Sequence, residues 1–139
     1  MAADDLAGVQ ACIQAYFDGL YLGDPDLLFG KAFHPEAIMN CADLAGQRIR
    51  YDMTEYEKVV RERGAPKDAG FPRFDRIIAV DFAGPDTANV KVEAQVALRH
   101  YTDFLALIKI DGAWKIIAKT YCLTREFATR EEVAAAYGA

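Results

Sequence analysis

The chain contains no serine, so the hydroxyl nucleophile of an acyl-transfer triad is missing from the outset. Its three cysteines, Cys12, Cys41 and Cys122, are an odd number without C-x-x-C spacing. That excludes a disulfide framework and a thiolate metal site, and leaves reduced, mostly buried thiols as the expectation. The two histidines, His34 and His100, have no acid at ligand spacing, so no metal centre is expected. Neither a G-x-G-x-x-G pattern nor a phosphate loop is present, and no bound cofactor is expected. Charges never run to five of one sign, and 21 acidic against 16 basic residues leave nucleic acid no basic footprint. No apolar run approaches the ~18 residues of a bilayer span. The first residues, MAADDLAGVQ, lack the basic head and apolar stretch of a signal peptide, so a cytoplasmic protein with no membrane partner is expected.

What remains is rich in core material. Apolar residues make up 53% and aromatics 12% of 139 residues, the composition and size of one domain spanning 1–139. Leu6, Val9, Ile13, Tyr16, Phe17 and Leu20 recur at helical spacing opposite Gln10, Gln14 and Asp18. Gly23-Asp24-Pro25 stops that helix and starts a short second one, from about Pro25 to Lys31. Pro35 turns the chain toward a short strand around Ala37 to Cys41. Asp52 and Glu55 stand in capping-box spacing for a third helix that places Tyr56, Val59 and Val60 on one face and ends at Gly64.

From Phe71 onward the period changes from near 3.6 to 2. Residues 73–83 and 88–99 read as long strands, and two further runs join at Asp111-Gly112, a strong hairpin signal. A capping box at Thr129 to Glu132 predicts a short C-terminal helix. The expected architecture is α+β: three N-terminal helices on one face of a curved, four-stranded antiparallel sheet. In strand 102–110, Phe104, Ala106, Ile108 and Ile110 lie on one side and Leu105 and Leu107 on the other. Both faces ask for cover. With the helices on the first, a homodimer through the second is predicted.

YFDGLYLGDPD on the first helix, FHPEA after the second and FLALIKIDGAWKIIAKTY as the final hairpin resemble, in that order, the nuclear transport factor 2-like superfamily, a cone-shaped cystatin-like fold. The last stretch is most similar to its lumazine-binding, SnoaL-like branch. The resemblance implies a mainly apolar cavity inside the cone, lined by Tyr16, Leu20, Phe33, Cys41, Tyr56, Phe74, Phe104, Ala106 and Ile108. It also places Tyr16 where ketosteroid isomerases in the superfamily carry an enolate-binding tyrosine. Those enzymes add a carboxylate base on the first short strand and a protonated acid on the third long strand. The same alignment puts Cys41 and Ala106 at these two places, and neither can do the job.

Two readings of Tyr16 follow, a pocket hydroxyl that orients a ligand and a core tyrosine bonded to the backbone. His34 is either a general base or a turn residue before the strand. His100, with Asp103 nearby, reads as a solvated histidine at the rim, and Trp114 as a core or interface anchor. Lys119 and Tyr121 face either the cavity or the dimer interface, depending on a one-residue choice in the hairpin. The leading functional expectation is a small-molecule-binding protein. The alternatives are a cofactor-free dehydratase, isomerase or cyclase using Tyr16 and His34, and a dimeric interaction module.

Overall fold

The computed structural model describes residues 3–138; the expected domain limits, 1 and 139, lie outside them. Helix α1 (Ala3–Leu22) is followed by a short π-helix (Leu27–Ala32), strands β1 (Phe33–Ala42) and β2 (Arg48–Asp52), and helix α2 (Met53–Arg63). Strands β3 (Asp75–Phe82), β4 (Thr87–Val96), β5 (Arg99–Ile110) and β6 (Ala113–Glu126) then lead into helix α3 (Arg130–Tyr137). One six-stranded sheet has the order β2-β1-β6-β5-β4-β3. Among the described residues no helix is long and apolar enough to cross a membrane.

The helix boundaries follow their local chemistry. Val9, Ile13, Tyr16, Phe17 and Leu20 turn inward from α1 as their spacing requires. Asp24 caps the next segment by accepting from the backbone N–H of Asp26 at 2.9 Å, and Gly23 adopts φ 60° to let the chain reverse. That segment winds wider than the expected α-helix: Phe33 N–H donates to Leu28 O, five residues back. Both arms of the Asp52–Glu55 capping box form, at 2.8 and 2.9 Å, and Gly64 ends α2 at φ 76°.

The sheet departs from expectation in three respects. It has six strands because β1 runs back to Phe33 and pairs with β2, a strand not expected from the sequence, in which Ile49 and Tyr51 alternate with arginines and Asp52. It is not wholly antiparallel, because β1 lies parallel to β6. Third, β5 is turned over. A tight β4–β5 turn at Ala97-Leu98 sets Asp103, Leu105 and Leu107 opposite Val92, Val90 and Ala88, all of which are buried. Directly opposed residues share a face, so Asp103, Leu105 and Leu107 point to the helices. Phe104, Ala106, Ile108 and Ile110 therefore point away from them, Phe104 being 49% and Ile110 45% exposed. The apolar majority on the wrong side of β5 outvoted the right side, whose alternation is broken by a buried aspartate.

The β5–β6 hairpin resolves the choice left open for the last strand. Its loop is the two residues Asp111 and Gly112, with φ 53° and 79°, the doubly left-handed turn that matches strand twist. Ile117 is then an extra residue, because Leu107 pairs with Ile116 and Ala106 with Ala118. Beyond that bulge Lys119 stands opposite Leu105 and Tyr121 opposite Asp103, both on the helix side.

Candidate functional site

Between α1, α2 and the concave side of the sheet lies a cavity of about 750 Å³. Tyr16 and Leu20 reach it from α1, Tyr56 and Val59 from α2, Met39 and Cys41 from β1, and Ala94 and Val96 from β4. Tyr101 and Asp103 on β5, Lys119, Tyr121 and Leu123 on β6, and Ile49 and Tyr51 on β2 also line it. Its rim carries Leu44 in the β1–β2 loop, together with Arg63, Arg99 and Glu126.

The most deeply buried polar groups of this wall, Tyr16, Asp103 and Lys119, meet in one place. Tyr16 donates its hydroxyl hydrogen to Asp103 Oδ2 at 2.6 Å, and Lys119 Nζ stands 3.9 Å from the same oxygen. Asp103 is 1% and Lys119 6% exposed. A buried carboxylate costs several kcal/mol unless paired, and the lysine supplies the opposite charge. The rings of Tyr121, Tyr16 and Tyr56 surround Nζ at 4.7, 5.2 and 5.6 Å, presenting the negative faces of their π systems. Asp103 Oδ1 is buried and makes no hydrogen bond among the described residues. Burial and then the adjacent Asp103 carboxylate push the Tyr16 phenol well above its ordinary value, so it acts as a proton donor. Burial and contact with the Cys41 thiol likewise push Tyr121 up.

Of the expected lining residues, Tyr16, Leu20, Cys41 and Tyr56 meet in this cavity. Phe33 lies behind it, in edge-on contact with Tyr16 and Tyr56 at 5.7 and 5.9 Å. Phe74 is elsewhere, stacked on Tyr137 of α3 at 4.7 Å. Phe104, Ala106 and Ile108 lie on the outer face because β5 is turned over, and Phe104 there packs under Lys91 Nζ.

His34 does not converge with Tyr16. Its Nδ1 accepts from the backbone N–H of Glu36 at 3.0 Å, and it borders a separate recess of about 230 Å³ with Pro35 and Glu57. His100 is not a solvated rim residue either. It is 8% exposed, with Nε2 2.8 Å from Glu93 and Nδ1 2.7 Å from the Tyr137 hydroxyl, and it pins α3 to the sheet rather than pairing with Asp103. Trp114 is buried, and its indole N–H donates to Asp5.

The sequence names Asp103 only as a neighbour of His100, and its place in the cavity was missed. The signal was a lone acid in β5, opposite Val92 in a strand whose Val90, Val92, Ala94 and Val96 alternate onto one face. Among the described residues no group of three or more histidines, cysteines and acids is close enough to hold a metal ion.

Residues 4–122 match the sequence family described as "Putative lumazine-binding". The chain belongs to this family. Solved structures similar to it include an NTF2-like protein of unknown function from Shewanella baltica OS155, with TM-score 0.80 and 18% identity over 91% of this chain and 98% of that one. Another NTF2-like protein, from Silicibacter pomeroyi DSS-3, has TM-score 0.77 and 23% identity over 88% and 99% of the two chains. A ketosteroid isomerase-like protein from Erwinia carotovora atroseptica has TM-score 0.66 and 14% identity over 89% and 99%. At these identities the likeness is one of fold. A stretch of 39 residues is 46% identical to aldolase FrzH of Cladobotryum sp., and it amounts to 27% of this chain and 31% of that protein. The similarity thus spans about a third of that relative's length.

Proposed function

We propose that the protein binds a small, mainly apolar molecule in the cavity and holds one oxygen of it at Lys119. The supporting observation is an ammonium group on the cavity wall that donates no hydrogen bond among the described residues, beside a phenol whose hydrogen is already given to Asp103. A concave apolar site with a few convergent polar groups is the usual setting for such a ligand. Tyr16 then acts through Asp103, fixing the carboxylate that faces the lysine.

Fluorescence titration with 2-naphthol tests this reading. Saturable binding is expected, weakened by about tenfold or more in Lys119→Met, the loss of one charge-assisted hydrogen bond. Equal affinity of the two proteins would remove Lys119 from the site.

A second reading, a cofactor-free enzyme working by acid–base chemistry, is favoured by the 2.6 Å pair of Tyr16 and Asp103. It joins the tyrosine of the first helix to an acid on the third long strand, the combination that the ketosteroid isomerases carry. Asp103 thereby takes the part assigned by alignment to Ala106, and His34 drops out. The aldolase similarity points in the same direction, toward carbonyl compounds. Exchange of the hydrogens beside the carbonyl of 2-tetralone, followed by NMR in heavy water, separates the readings. Acceleration that is lost in Tyr16→Phe supports the enzyme; no acceleration leaves a binding protein.

We propose also that a second copy covers the outer sheet face around Phe104 and Ile110. With β5 turned over, the residues expected to be inside are the ones this dimer would use.

A further inference from the structure

We propose that the Lys119 amine forms a covalent imine with an aldehyde or ketone admitted to the cavity. This rests on the cavity-binding reading above and names the class of compound that the cavity would take.

The contrast with neighbouring lysines carries the inference. Lys115 donates to the backbone oxygens of Gly30 and Lys31 at 2.9 and 3.1 Å, and Lys109 to Asp5 at 2.8 Å, as structural lysines do. Lys119 has no such bond among the described residues. The acid oxygen paired with it, Asp103 Oδ2, is at 3.9 Å, beyond hydrogen-bond reach, and three tyrosine rings face its nitrogen. A long side chain is thus held by packing, with its nitrogen at a cavity wall and a proton-handling pair next to it. An amine in an apolar pocket with an acid and a base at hand is the setting in which lysine serves as a nucleophile.

The step balances within these groups and water in the cavity. The Lys119 ammonium first gives one proton to that water; the unprotonated nitrogen then attacks the carbonyl carbon, and the carbonyl π pair moves onto oxygen, which takes a proton from the Tyr16–Asp103 pair. The nitrogen returns a proton to that pair as the carbinolamine forms. The hydroxyl then leaves as water with a proton from Tyr16, while the nitrogen lone pair closes the C=N bond. Loss of the remaining N–H proton to the pair restores it. One carbonyl compound and one amine give one imine and one water, with no oxidant or metal required, and hydrolysis runs the same path backward.

The probe is 6-methoxy-2-naphthaldehyde, with sodium borohydride added to reduce any imine to a stable amine. Intact-mass and peptide mass spectrometry should find one adduct, heavier by the probe less one oxygen atom, on the peptide that contains Lys119. It should form about tenfold faster than adducts on the exposed lysines, and Tyr16→Phe should slow it without abolishing it. Lys119→Met should lose it, and the peptide map of the wild-type protein decides the matter even where that variant folds poorly. Adducts spread over exposed lysines, or none that need borohydride, overturn the proposal. Titration with 2-methoxynaphthalene, which has no carbonyl, separates the two failures: binding of this compound without a Lys119 adduct overturns the imine alone, whereas neither binding nor adduct overturns the cavity reading as well.

Discussion

At the scale of single residues, the Tyr16–Asp103 bond determines how the interior tolerates charge. Tyr16→Phe removes the one hydrogen bond that the Asp103 carboxylate, 1% exposed, accepts among the described residues, and a loss of about 1–3 kcal/mol is expected in urea unfolding. Asp103→Ala strips the Lys119 ammonium of its counter-charge and should cost more, about 3–5 kcal/mol. The thiols should differ in reactivity. Burial pushes Cys12 up to about 11, whereas Cys122 is exposed and Cys41 half-buried, so iodoacetamide should modify Cys122 first and Cys12 last. Equal rates at Cys12 and Cys122 would contradict the packing of α1 on β6. Hydrogen bonds from His100 and then Arg76 hold the Glu93 carboxyl below its ordinary value of 4.5. A lowered folded value means that this stabilisation is in place above the unfolded value and disappears as pH falls through the folded one. Unfolding midpoints measured downward from pH 6 should therefore fall less steeply in Glu93→Gln than in the natural sequence.

At the scale of elements, close approach and capping set the positions from which these side chains act. A Cβ at Gly19 would lie 2.5 Å from Leu28 Cγ and 3.2 Å from the Leu28 backbone nitrogen, so α1 sits against the π-helix only because this position has no side chain. Gly19→Ala should cost about 1–3 kcal/mol of unfolding free energy through overpacking, and no change would mean that the two helices stand further apart. These elements were largely legible beforehand. Gly23-Asp24-Pro25, the Asp52–Glu55 box and Asp111-Gly112 each have local chemistry that acts whatever the rest of the chain does. The facing of β5 was not legible in that way, because strand faces are decided by partners. Phe104, Ala106, Ile108 and Ile110 look like a core stripe until Val90 and Val92 are placed opposite Leu105 and Asp103. The strand β2 was hidden by its arginines, and the role of His100 by its dependence on Tyr137, 37 residues away.

At the scale of the whole molecule, the turned strand exchanges the inner and outer surfaces that the sequence suggests. The cavity loses Phe104, Ala106 and Ile108 and gains Asp103 and Lys119, which puts a buried charged pair deep in an interior expected to be apolar. The outer face gains the apolar residues instead. Light scattering at micromolar concentration should give the mass of a dimer, and Phe104→Glu should give that of a monomer; a monomeric mass for both would leave this face without a second copy. Within the cavity, Ala94 is buried on β4 and directed at the space between the sheet and the helices. A phenylalanine there should take up part of that space at modest cost, because the ring enters a void rather than packed atoms. The most direct test is calorimetric titration of 2-naphthol into the natural protein and Ala94→Phe, with circular dichroism showing both folded. One bound molecule per chain, held measurably more weakly by the variant, is the expected result, and equal binding by both proteins would contradict an interior site beside Ala94.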